Sequence, residues 1–320
     1  MPTVRIYEMT VRSFLPLPGH EALGEDPDID LIRSPDHAPR PFEPDLDSRI
    51  YVNPDLDNGS PPQVEFHRQG RWNCLRYPEY VDFYFSGPGP VLCFLRPGAT
   101  PEILQTVILG PLCAVLLELR GTICLHANAV TVGGVAVGLA GRSGAGKSTL
   151  AAMLVDQGCA LLTDDVLPLR IYANRCLAVP GYPQLRLSRG ALCGVEAAAN
   201  EHAMGALDDK ARVAVGQGWG AFAASPATLR VVYVLDCDAA TPGSVTIEPL
   251  PPQRGFVELL RFGFCARLVG SLGLSAARFR ALAEASSRSA VRRLRFPHNL
   301  NLLPDVQRAI SDDLAGLGPK

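Results

Sequence analysis

"GLAGRSGAGKSTLAAMLVDQGCALLTDD", Gly138 to Asp165, holds the residues on which the reading of the whole chain turns. Its first part, Gly141-Arg142-Ser143-Gly144-Ala145-Gly146-Lys147-Ser148, satisfies the phosphate-loop pattern GxxxxGK[ST] at every fixed position. Glycines let a backbone fold tightly enough for several N–H groups to converge on phosphate oxygens. A helix that starts at the end of such a loop adds free N–H groups and the positive end of its dipole. In this pattern Lys147 reaches the outer phosphates and the Ser148 hydroxyl completes the coordination of Mg²⁺. The flanks agree with it. "GVAVGLAG" ahead of the loop reads as a strand, and "KSTLAAMLVDQG" after it reads as a helix that Gly158 ends. Residues Gly141 through Thr149 are therefore the expected nucleotide-binding segment, although the pattern alone does not distinguish ATPase, GTPase, kinase or regulator.

The stretch closes on Asp164-Asp165, at the end of "CALLTDD", an expected buried strand. A helix of about 11 residues spans roughly 16 Å. Five residues of strand at about 3.3 Å each return the chain to the level of the loop. Two carboxylates then arrive beside the γ-phosphate, where one can hold Mg²⁺ and the other can accept a proton from an incoming hydroxyl. Because successive strand residues point to opposite faces, a turn at the strand's end is expected to bring both into one site. A competitor lies downstream in "VVYVLD", an apolar strand ending at Asp236, which is how many ATPases supply their metal carboxylate.

The remainder of the chain sets the frame. Apolar residues make up 47% and charged residues 19% of 320, enough for a substantial core. The net charge of −2 carries no basic surplus of the kind that advertises nucleic acid, and none is expected as a partner. Nine scattered cysteines form no CxxC pair and read as reduced, mostly buried thiols. "MPTVRIYEMT" lacks the apolar core of a signal peptide, so a cytoplasmic enzyme is expected. Ile103 to Leu119 is the most apolar run, but Gln105, Pro111 and Glu118 interrupt it. It is read as a core helix, with no membrane as partner.

Residues 1–100 alternate in short runs between Pro and Gly, the texture of a small β-rich domain, with strands expected near Ile29–Ile32 and Ile50–Val52. Residues 101–120 read as a connecting helix, and 121–320 as the catalytic domain. In the latter, "CLHANAVTVGGVAVGLAG" reads as two strands joined at Gly133-Gly134. "LRVVYVLDCD" reads as a further strand, and three C-terminal segments read as helices.

The core "LHANAV…GVAVGLAGRSGAGKSTLAAMLVDQGCALLTDDV" resembles the catalytic centre of HPr serine kinase/phosphorylase and its shorter kinase-like relatives. The shared features are a His in an "HA" strand, the phosphate loop 15 residues on, a helix ending at Gly, and an Asp-Asp pair. The resemblance covers His126 to Val166 strongly and the stretches to "LPDVQRAISDDL" more loosely. It implies an α/β fold: a P-loop kinase core of mixed sheet and flanking helices behind a smaller β-rich N-terminal domain. Carried over, it makes Lys147 the ligand of the outer phosphates, Asp164 the catalytic base, Ser148 and Asp165 the metal ligands, and His126 a neighbour of the reacting phosphate. The implied partner is a protein or peptide bearing a serine hydroxyl, with homo-oligomers possible. Thr149 stands where the bifunctional enzymes carry Glu, and "PGYPQLRLSRG" stands where they carry a glycine-rich signature. The N-terminal part looks more like the shorter relatives, among them kinases that tailor lasso peptides.

Arg186 and Arg189, with Lys210 and Arg212, are further candidates to neutralise phosphate charge, while the basic run 288–298 reads as a solvated helix face. Two other functions compete: a nucleotide-responsive regulatory module without phosphotransfer, and a plain ATPase built on Asp236.

Overall fold

A computed structural model describes residues 1–53, 64–192, 201–204 as backbone, 210–237, 244–297, 299 and 302–317. The run "DDKARV" is thus described only from Lys210 onward, and His298 lies outside the described residues. The fold is mixed α/β. It forms two compact units, Met1–Leu119 with Cys265–Ser275, and Arg120–Phe264 with Ala276–Lys320. The expected connecting helix therefore belongs to the first unit, and so does a short excursion from within 121–320.

The first unit is built on one nine-stranded sheet. Its strands are β1 (Thr3–Ile6), β2 (Met9–Ser13), β3 (His20–Glu21), β4 (Ile29–Arg33), β5 (Arg49–Val52), β6 (Glu65–Gln69), β7 (Trp72–Tyr77), β8 (Val81–Phe85) and β9 (Gly89–Leu95). They lie in the order β3-β1-β2-β4-β9-β8-β7-β6-β5. Aromatic and β-branched side chains on the pleated surface supply its core, with Tyr7, Phe66, Phe83, Tyr84 and Phe85 fully buried. A helix runs from Pro101 to Leu119, started by Thr100, whose hydroxyl accepts from the Ile103 N–H at 3.3 Å. Pro111 does not divide it. A π-helical turn, Ile108–Leu112, takes up the missing N–H, and the Tyr7 hydroxyl donates to the Leu109 carbonyl at 2.9 Å within that turn. By length and composition this helix could cross a membrane, and 72% of its most apolar window is buried inside the protein.

The second unit carries β10 (Ile123–Val132), β11 (Val135–Ala140), β12 (Ala160–Thr163), β13 (Val166–Ile171), β14 (Cys176–Ala178), β15 (Gln184–Ser188), β16 (Glu201–Met204), β17 (Lys210–Ala214), β18 (Ala221–Phe222), β19 (Ala227–Cys237), β20 (Thr246–Pro249) and β21 (Ala290–Phe296). β10 and β11 form the expected hairpin, in register from Ala127↔Ala140 to Val132↔Val135. β11 is parallel to β19, and β19 is parallel to β21. β15, β17 and β16 make a separate three-stranded sheet. The helix Lys147–Asp156 packs Leu150, Ala151, Leu154 and Val155 into a core shared with Val137, Leu139, Leu161, Leu187 and Val231.

Two expectations are corrected. The basic run 288–298 is not a helix face: Ala290–Phe296 is a strand between β19 and β20 that buries Val291, Leu294 and Phe296. The turn expected at the end of the strand is there, closed by the Val166 N–H on the Asp164 carbonyl at 2.7 Å, but it neither reverses the chain nor brings both carboxylates to one surface. β12 and β13 run in one line along β10, and the pairings on either side keep one register, Ala129↔Thr163 and His126↔Val166. Asp164-Asp165 interrupts that line, with Asp165 at φ 66°, a left-handed conformation uncommon for a residue with a Cβ.

Candidate functional site

The site is assembled where three segments of the second unit meet: the glycine loop, the middle of β10, and the interruption between β12 and β13. Gly146 caps the loop helix at φ 86°, a conformation that favours glycine, and turns the loop into the helix. The Lys147 ammonium donates to the carbonyl oxygens of Gly141 at 2.8 Å and Arg142 at 3.3 Å. Burial lowers its pKa below the ordinary lysine value, against the pull of Asp165 and Asp164 and with Lys210 adding to the decrease.

His126 and Asn128 are two residues apart on β10, so both project to one side of the strand. Asn128 ties the loop to the aspartates: its side-chain amide lies 3.2 Å from Ser148 Oγ and donates to Asp164 Oδ1 at 2.7 Å, while its Oδ1 accepts from the Asp165 N–H at 3.3 Å. Asp164 is 1% exposed, and its second oxygen accepts from the main-chain N–H of Arg186 at 2.8 Å. Desolvation, with the charge of Asp165 close by, pushes its pKa up to about 6. Asp165 behaves in the opposite way. Burial works to raise its pKa, but the hydrogen bond and charge of His126, together with Arg186 and Lys210, hold it down at about 2. His126 Nδ1 lies 3.2 Å from Asp165 Oδ1, and Arg186 Nη1 lies 3.9 Å from Asp165 Oδ2.

A cavity of about 550 Å³ collects these groups. His126, Ser143, Gly144, Gly146, Lys147, Ser148, Thr149, Asp165, Arg186, Ser188 and Lys210 all line it. Of the expected site residues, Asp164 lies behind this surface rather than on it. Gly141 contributes its carbonyl to Lys147, and Arg142 and Ala145 line a second crevice on the other flank of the loop. Among the weaker candidates, Arg186 and Lys210 reach the cavity, while Arg189 and Arg212 are not among its lining. Asp236 is also absent from it; its carboxylate faces Arg295 at 3.3 Å and lines the second crevice.

Asn128 was not anticipated, although period-two alternation from His126 points to it. "PGYPQ" also gains a purpose. A Cβ on Gly181 would stand 2.4 Å from Thr163 Oγ1, so only glycine lets this segment lie against the residue that precedes the aspartates. Eight of the nine cysteines are described, and none of the eight is joined in a disulfide.

No family model matches the chain, and no curated protein sequence does. Among solved structures, the HPr(Ser) kinase/phosphatase from Coxiella burnetii is similar over 61% of this chain and 99% of its own, at 15% identity and a TM-score of 0.33. That likeness is distant, and the functional reading rests on the geometry of the site.

Proposed function

We propose that the protein is an ATP-dependent kinase of the HPr-kinase type that transfers the γ-phosphate to a serine hydroxyl of a protein or peptide. Ribosomally made precursors of the lasso type are the acceptors to try first. One observation carries the reading: Lys147 and Ser148 of the phosphate loop line the same cavity as Asp165 and His126.

The donors suit Mg²⁺, a hard ion usually held through one or two carboxylates together with substrate phosphates. Ser148 offers a hydroxyl and Asp165 a carboxylate on the cavity wall, and among the described residues no group of three or more His, Cys, Asp or Glu forms a closed metal cage. Ser148 would hold the ion, with Asn128 and Asp164 orienting its hydroxyl from behind. Bound there, Mg²⁺ neutralises charge on the phosphate oxygens.

Asp165 takes the role of base that the resemblance gives to Asp164, and Asp164 acts through its neighbours. Asp165 is the carboxylate on the cavity surface, and its position there lets it take the proton of an acceptor hydroxyl as that oxygen bonds to phosphorus. His126 orients that carboxylate through its Nδ1. Asp164, with both oxygens already accepting hydrogen bonds, is a positioning residue. Lys147, Arg186 and Lys210 supply positive charge around the transferring phosphoryl group.

The test is incubation with ATP, Mg²⁺ and serine-bearing peptides, with added phosphate read by mass spectrometry. Asp165→Asn should lower transfer by about a thousandfold while Mg·ATP still binds. Asp164→Asn should keep measurable transfer and shift the Mg²⁺ dependence to higher concentration. Full transfer by Asp165→Asn would remove that residue from the role of base.

A further inference from the structure

We propose that the second crevice receives the base and ribose of the nucleotide whose phosphates the loop carries, an inference that rests on the nucleotide-site reading above. This crevice measures about 600 Å³, within the range of small-molecule sites. One wall is the loop itself, Arg142 to Ala145, and the facing wall is the end of β19 with Glu258, Phe262 and Arg293.

Three observations point to a nucleoside. First, β11, β19 and β21 run parallel, and ligands of α/β sheets collect in the crevice beyond the carboxyl ends of such strands. Second, Ser143 and Gly144 line both crevices, so a run of phosphates along the loop leads from one into the other. Third, His126 and Asp165 line only the first crevice. In-line transfer puts the acceptor and the leaving nucleoside diphosphate on opposite sides of the moving phosphorus, so the nucleoside belongs on the flank away from Asp165. The lining suits this ligand. Phe262 puts an aromatic ring into the crevice with the Arg261 guanidinium 6.0 Å from its centroid, a pair on which a base can stack, and the Asp236 carboxylate, 52% exposed and bound through one oxygen to Arg295, has a second oxygen to accept from ribose hydroxyls.

Titration calorimetry with Mg·ATP and with Mg·tripolyphosphate separates this inference from the reading beneath it. Phe262→Ala and Asp236→Ala should each bind ATP about tenfold more weakly, yet bind tripolyphosphate within about twofold of wild type. The retained tripolyphosphate affinity also reports that each variant is folded, and the exposed Asp236 gives a variant with little effect on the core. Unchanged ATP affinity in both variants overturns the nucleoside inference and leaves the phosphate loop standing. So does a wild-type protein that binds tripolyphosphate as tightly as ATP. A wild-type protein that binds neither ligand overturns both.

Discussion

Each unit of this molecule buries a carboxylate, and the two are treated in opposite ways. Asp82, in β8 of the first unit, is 0% exposed and ringed by guanidinium groups: Arg40 and Arg96 at 2.7 Å, Arg76 at 3.6 Å. Asp164, in the second unit, is 1% exposed and takes its hydrogen bonds from an amide side chain and a main-chain N–H, with a second carboxylate as its sequence neighbour. The first arrangement neutralises charge and holds strands β7, β8 and β9 to the loop that carries Arg40. The second leaves charge only partly compensated, beside the glycine loop. Burial alone therefore does not mark a functional acid; the company it keeps does.

Three substitutions test that contrast. The largest effect on stability is expected at Asp82. Asp82→Asn leaves guanidinium groups without their counter-charge and should destabilise the first unit by about 3–5 kcal/mol, read from denaturant unfolding. A loss below about 1 kcal/mol would show that the arginines solvate themselves and that Asp82 is not the keystone of its cluster.

Asp164 should respond to pH with the opposite sign to an ordinary paired carboxylate. Its folded pKa of about 6 lies above the usual 3.8, so its protonated form stabilises the fold below pH 3.8, and that contribution is lost as pH rises through 6. Two pKa units correspond to about 3 kcal/mol. Asp164→Asn removes the ionisation, so its stability relative to wild type should improve between pH 4 and pH 8 by up to roughly that amount. A difference that stays flat across that range would mean Asp164 titrates normally. The smallest effect is steric. Gly181→Ala forces its new methyl group against Thr163 and should cost about 1–3 kcal/mol, with a fall in transfer rate because Thr163 leads into the aspartates. Unchanged melting and rate would mean that the segment moves aside freely.

What could be foreseen from sequence follows the physics of each signal. The strand, loop, helix and following strand around Lys147 were legible because glycine punctuation and periodicity agree at every step. The position of Asp164-Asp165 near the loop was legible from element lengths, but the way they arrive was not. Nothing local says that β12 and β13 share one line on β10, or that Asp165 adopts a left-handed backbone. The division of labour between the two carboxylates depends on Asn128 and Arg186, which reach them from strands 36 and 22 residues away from Asp164. Ala290–Phe296 was misread because Val291 and Leu294 repeat at helical spacing after a true helix, whereas pairing with β19 and β20 makes the segment a strand. Tertiary pairing overrides a short local pattern there.

A nucleotide held by Lys147 and Ser148 should present its terminal phosphate to Asp165. The most direct measurement is a crystal structure with Mg²⁺ and a non-hydrolysable ATP analogue. The γ-phosphorus should lie within about 5 Å of the Asp165 carboxylate, with the hydroxyl of Ser148 on the metal. A γ-phosphate bound in the loop but turned away from Asp165 and His126, or an analogue bound elsewhere on the chain, would contradict this arrangement.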